Sequence, residues 1–185
     1  MTGAPTVLAA MRLEAMAIGG RVVRTGMGHR RAAATATHVA AGLAPGSAVV
    51  LAGISGGLDP ALAPGTVVVA SSVRDPEDVE RALPAGDADA VAERLRRAGR
   101  DVRVGPVVSS TSLVHGERRA QLARSGALAV DMESAWVAAA MGDHRLVVVR
   151  VVADTAGSVA VGLVKGLAAL RGLRASFDPW PAPSS

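Results

Sequence analysis

The sequence contains no cysteine and no tyrosine, and its aromatic residues, 2% of the chain, are Trp136, Phe177 and Trp180. The absence of cysteine excludes disulfide frameworks, thiolate metal sites and cysteine nucleophiles. The scarcity of rings argues against a stacking platform for single-stranded nucleic acid. Lysine is almost missing as well. Lys165 is the one lysine, so arginine carries nearly all the positive charge, and the pI lies near 11.1 although the net charge is only +4. There is no basic tail and no long run of one sign, so no nucleic-acid partner is expected.

Long apolar runs are also lacking. No stretch approaches the ~18–20 uninterrupted apolar residues of a membrane span. The longest candidate, 146–170, is broken by Arg150, Asp154 and Lys165. The first ten residues lack a basic segment, and Arg12 and Glu14 interrupt the apolar stretch that follows, so no signal peptide is expected. These absences predict a soluble, cytoplasmic protein.

What is present is aliphatic. Half of the 185 residues are hydrophobic and 19% are charged, enough apolar surface to offset the entropy of ordering the chain. The core must be built from Ala, Val and Leu. Short β-branched runs predict strands at 6–10, 21–24, 47–52, 66–70, 102–108, 127–130 and 146–152. Several lack polar alternation and are expected to be buried on both faces. Ala-rich or amphipathic stretches predict helices at 30–42, 87–99, 115–125, 133–141 and 158–173. The alternation specifies an α/β fold with a mostly parallel sheet in one domain, residues 1–177. The Pro- and Ser-rich residues 178–185 are expected to form a flexible tail.

In open α/β sheets, ligands gather at the carboxyl ends of strands. Here those ends carry Met11-Arg-Leu-Glu14, Thr25-Gly-Met-Gly28, Gly53-Ile-Ser-Gly-Gly-Leu-Asp-Pro60, Asp131-Met-Glu133 and Ala153-Asp-Thr155. Three carboxylates and two Gly-rich turns are thus candidates for one rim. Each has a plainer use: a tight turn for the glycines, a helix cap or N-terminal charge for the acids. The four histidines have no metal-ligand spacing, and neither metal nor cofactor is expected. Ser109–Ser112 has no G-x-S-x-G elbow, and no Gly-rich turn is followed by a phosphate-loop lysine.

Taken together, Ala10-Met-Arg-Leu-Glu14, Thr25-Gly-Met-Gly28, residues 53–60, Val130-Asp-Met-Glu-Ser-Ala135 and Val149-Arg-Val-Val-Ala-Asp154 resemble the nucleoside phosphorylase and nucleosidase superfamily. The similarity is greatest to its hydrolytic purine branch, the methylthioadenosine/S-adenosylhomocysteine nucleosidases. It implies a three-layer α/β/α fold with a mixed, largely parallel central sheet. It implies that Glu14 activates the attacking water and that Asp154 protonates purine N7. Glu133 would accept hydrogen bonds from the ribose hydroxyls, with Met132 under the sugar. Ser55, Gly56, Leu113 and Val114 would line the base pocket, the last two in place of an aromatic. Gly28, Arg30 and Arg31 mark a candidate anion site, which keeps phosphorolysis open. Family phosphorylases of the hexameric purine type, however, carry an arginine before the third block, where this chain reads Val50-Leu-Ala-Gly53.

Ten residues separate Glu14 from Thr25, and the segment after Ala70 is short as well. This compactness resembles the hopanoid-associated phosphorylase group, implicated in releasing adenine from adenosylhopane. It leads to the expectation that the ribose 5′ side is open to a long substituent, with transient membrane contact if that substituent is a lipid. The resemblance also implies a homodimer. A non-catalytic nucleoside-binding module is the remaining alternative, disfavoured because binding alone does not require Glu14 and Asp154 together.

Overall fold

The computed structural model describes residues 4–154, 159–178 and 180, except for the side chains of residues 85 and 159–161. The strands are β1 (Thr6–Ala9), β2 (Val22–Arg24), β3 (Ala48–Gly57), β4 (Val67–Arg74), β5 (Glu80–Ala82), β6 (Val102–Ser109), β7 (Ala129–Asp131) and β8 (Arg145–Asp154). The helices are α1 (Arg12–Ile18), α2 (His29–Ala41), α3 (Ala85–Arg97), α4 (Gly116–Ala123), α5 (Ser134–Met141) and α6 (Val159–Leu170). A 3-10 turn, Leu173–Ser176, follows α6.

All strands belong to one mixed sheet. β1 pairs in parallel with β2 and β3, and β3 runs parallel to β8 over most of its length. β8 pairs antiparallel with β4, β4 parallel with β6, and β6 parallel with β7. β7 then returns to β3 at Gly56 and Gly57, antiparallel. The strands β3, β8, β4, β6 and β7 therefore close a ring. This closure is possible because β3 continues past the end of β1, with a register shift at Ser55/Gly56.

The sheet is covered on both faces. One core joins Ile18 of α1, Val91 and Leu95 of α3 and Leu170 of α6 to Val50, Val67, Val69 and Val149. The other joins Ala32 and Ala36 of α2 and Val137 and Met141 of α5 to Leu51, Val68, Val107 and Val148. Residues 146–153 of β8 are all buried, as expected of a strand without polar alternation that packs on both sides. The three-layer α/β arrangement is the one the family resemblance implies.

Three differences from the sequence reading bear on the site. The third strand does not stop at Ala52: it carries the glycine segment to Gly57 as a strand, not a loop. A seven-residue helix, α1, follows β1, where the sequence reading ran the strand directly into Glu14. A short edge strand, β5, was also unforeseen. The last helix ends at Leu170, and the expected start at Ser158 lies outside the described residues. Trp180, within the segment set apart as a tail, is 3% exposed and packs in the first core, while 181–185 are outside the described residues. Among the described residues, no helix is long and apolar enough to cross a membrane.

Candidate active site

Strand closure brings distant segments to one cavity of about 220 Å³. Its wall includes Ala10 and Met11 after β1, Glu14 of α1, Met27 before α2, and Ile54, Ser55 and Gly56 of β3. Ser112–His115 before α4, Arg119 of α4, Val130 and Asp131 of β7, Met132 and Glu133 before α5, Ala153 and Asp154 of β8, and Leu163 of α6 complete it. Eight of the residues expected from the sequence thus meet: Glu14, Asp154, Met132, Glu133, Ser55, Gly56, Leu113 and Val114. The anion-site residues do not join them. Arg30 and Arg31 are exposed and absent from the wall, and the Gly28 N–H donates to Glu133 Oε1 at 2.8 Å.

Glu14 is buried at 1% exposure, on the first turn of α1. Its Oε2 accepts from the Met11 N–H and its Oε1 from the Ile54 N–H, each at 2.8 Å. Two backbone donors from separate segments therefore fix both oxygens. The short α1 exists to deliver this side chain: Glu14 reaches back over the helix start, a geometry open only to a residue in the first turn.

Behind the cavity lies Arg150, fully buried in the middle of β8. Its Nε is 2.7 Å from Asp131 Oδ2, its Nε and Nη2 donate to Ser134 Oγ at 3.2 and 3.0 Å, and Nη2 is 4.0 Å from Glu133 Oε2. Asp131 also accepts from the Ser109 hydroxyl at 2.6 Å, from the Ser134 hydroxyl, and from the backbone N–H groups of Glu133 and Ser134 at 3.2 Å. Arg150 Nη1, in contrast, is buried with no protein hydrogen-bond partner.

Gly53 explains how this donor and Glu14 come together. A Cβ at that position would lie 2.5 Å from Arg150 Nη1 and 2.7 Å from Glu14 Oε1. Only hydrogen leaves room there, so both groups crowd the same point on β3 without forming an ion pair. Neither Arg150 nor Gly53 was singled out as a site residue in the sequence. The signal for the arginine was present: an arginine inside an unbroken aliphatic strand must be buried, and a buried guanidinium needs acidic partners.

Burial pushes the Glu133 carboxyl above the usual carboxylate range, opposed by the Arg150 guanidinium; nearby Asp131 raises it further, the Gly28 N–H lowers it and Glu14 raises it. A carboxyl whose pKa is raised by folding favours the folded state while protonated, and that stabilisation is lost as pH rises from the unfolded value through the folded one. Glu133→Gln is therefore expected to gain stability relative to wild type as pH rises from about 4 to about 8. Thermal melting at both ends of this range checks it, and a difference that shrinks with pH overturns it.

At the opposite wall, Asp154 ends β8 and Arg119 Nη1 lies 2.7 Å from its Oδ1. Ser55 Oγ is buried without a partner, Leu113 is 74% exposed at the rim, and Val114 is buried. Arg119 and His115 were missed in the sequence, where α4 reads as an ordinary polar helix. Among the described residues, no group of three His, Cys, Asp or Glu side chains is placed to hold a metal ion.

A ring-closed α/β sheet with four carboxylates, Glu14, Asp131, Glu133 and Asp154, around one cavity defines the class, and the family comparison agrees: the model of the phosphorylase superfamily matches residues 19–169. The chain belongs to that superfamily. Solved structures show the fold in particular relatives. One is a mutant of Helicobacter pylori methylthioadenosine nucleosidase with 5′-methylthioadenosine in its active site: TM-score 0.79, 19% identity, covering 95% of this chain and 98% of the other. The native futalosine hydrolase of Helicobacter pylori gives TM-score 0.79 at 20% identity, covering 93% and 95%. The Neisseria meningitidis 5′-methylthioadenosine/S-adenosylhomocysteine nucleosidase, in complex with methylthio-immucillin-A, gives 0.78 at 19%, covering 94% and 96%. No curated protein matches the chain by sequence.

Proposed function

We propose that the protein is a nucleosidase that hydrolyses the N-glycosidic bond of a 5′-substituted adenosine and releases adenine. The observation that carries this reading is the meeting of Glu14, Glu133 and Asp154, with Ser55 and Met132, on the wall of one cavity. A buried carboxylate on that wall, fixed by two backbone donors, suits the activation of a water molecule. Glu14 takes a proton from the water oxygen as that oxygen bonds to C1′. Glu133 accepts from the ribose hydroxyls and lies close to the positive charge that develops on the sugar. Asp154 gives a proton to purine N7 as the electrons of the broken bond pass to the base. Ser55, Gly56, Leu113 and Val114 surround the base, and Met132 supports the sugar.

Water is the nucleophile in this reading because Arg30 and Arg31 stand away from the cavity and its wall arginine, Arg119, is already paired with Asp154. The rim favours an apolar 5′ group: Met27 is 54% exposed there. A long hydrocarbon of the adenosylhopane kind is the first substrate to try, then methylthioadenosine and S-adenosylhomocysteine. The exposed Leu13 and Met16 of α1 offer an apolar face that a second copy would cover in a homodimer. The test is chromatography of free adenine after incubation with methylthioadenosine and with a long-chain 5′-alkyl adenosine, each with and without phosphate. Release independent of phosphate, faster with the alkyl substrate, is expected. Release only with phosphate overturns hydrolysis, and release from neither overturns the nucleosidase reading.

A further inference from the structure

We propose that Arg119 is the positioning residue that aims Asp154 at the leaving base, an inference that rests on the nucleosidase reading. The guanidinium lies at the meeting of three segments. Nη1 forms an ion pair with Asp154 Oδ1 at 2.7 Å without hydrogen-bond geometry, and Nη2 donates to the Asp154 backbone carbonyl at 3.0 Å and to the Gly57 carbonyl. It thus ties α4 to the carboxyl ends of β8 and β3 and grips Asp154 by side chain and backbone at once. Arg119 and Asp154 are 17% and 21% exposed, so the pair is largely shielded from water.

A carboxyl group has two oxygens, and only one can face the base. With Oδ1 buried against the guanidinium, Oδ2 is the oxygen left to carry the proton to N7. When the proton moves to N7, the N9–C1′ electrons go to the base, the water oxygen bonds to C1′, and Glu14 receives the proton that oxygen loses. Asp154 is left as a carboxylate whose new charge faces the guanidinium. The same helix follows Ser112–His115, which line the cavity, so α4 sets the base wall and the proton donor together.

The experiment compares Arg119→Met, Arg119→Lys, Asp154→Asn and the double variant Arg119→Met/Asp154→Asn. Two substrates are used: the 5′-substituted adenosine that wild type splits fastest, and p-nitrophenyl riboside, whose leaving group departs without a proton. Arg119→Met is expected to lower kcat on the adenosine by about 10²-fold, the usual cost of a misaimed group, with KM changed far less. It is expected to leave p-nitrophenyl riboside cleavage nearly unaffected. In the double variant it should add little to Asp154→Asn, as residues acting through one group do. Arg119→Lys, which keeps the charge but grips fewer partners, should recover part of the rate. Equal slowing on both substrates, or additive losses, overturns the inference and makes Arg119 a mere tie between strands. Arg119→Lys keeps the test valid if Arg119→Met fails to fold. Wild-type protein that splits neither substrate overturns the nucleosidase reading, and this inference with it.

Discussion

Glu14→Gln is expected to lower the rate of base release by about 10²–10⁴-fold, the usual contribution of a positioned general base, while the protein still folds. The side chain keeps its shape and its place on α1, but the amide cannot take a proton from water. A second effect accompanies the first. Both Glu14 oxygens accept from backbone N–H groups, of Met11 and Ile54. A glutamine amide turns its NH2 toward one of them, leaving two donors face to face at a cost of about 1–3 kcal/mol. In a chain of this size that lowers the melting midpoint by several degrees, at about 2–4 °C per kcal/mol. Single-turnover kinetics below the melting range separate the two effects. Unchanged turnover removes Glu14 from the chemistry.

Arg150→Met is expected to be the most destabilising single change near the site, by about 3–5 kcal/mol, because it leaves Asp131 and Glu133 buried without their cation. The loss has a specific signature. Adding Asp131→Asn to Arg150→Met removes the stranded charge and should restore part of the midpoint, a coupling that a simple packing defect does not show. Arg150→Lys keeps the charge but cannot serve Asp131, Ser134 and Glu133 together, so it should fold better than the methionine variant yet less well than wild type. Thermal melting of the single and double variants decides it. A loss below about 1 kcal/mol for Arg150→Met shows that the guanidinium is not what holds the carboxylates.

These predictions rest on residues of unequal legibility. Glu14, Glu133 and Asp154 stood out in the sequence because each follows an aliphatic run at a strand end, within a block that resembles a known family. Arg150 was visible as an arginine in an aliphatic strand, but its role depends on Asp131 and Ser134, which reach it from the β7–α5 junction. Arg119 gave no signal, since exposed and buried arginines of a polar helix look alike in sequence. Arg30 and Arg31 show the reverse case: they sit beside a Gly-rich turn in sequence, and the structure leaves them outside the cavity wall. The helix α1 was missed because seven residues give barely two turns of periodicity, and its N-cap, Met11, makes no side-chain capping hydrogen bond.

The amino-acid sequence by itself determined the alternation of aliphatic strands and Ala-rich helices, the burial of β8 on both faces, and the family. The first two follow from local propensity and hydrophobic period, which a short window carries; the family follows from the resemblance of five short blocks in order. Tertiary structure alone decided that β3 runs on through its glycines to Gly57, that β7 returns to close the ring, and that Arg119 grips Asp154 across 35 positions of chain. It also decided that Gly53 lets Glu14 and Arg150 share one point. Those outcomes depend on which strand edges meet and how closely backbones approach, and such choices belong to the packing of the whole molecule, not to any one segment.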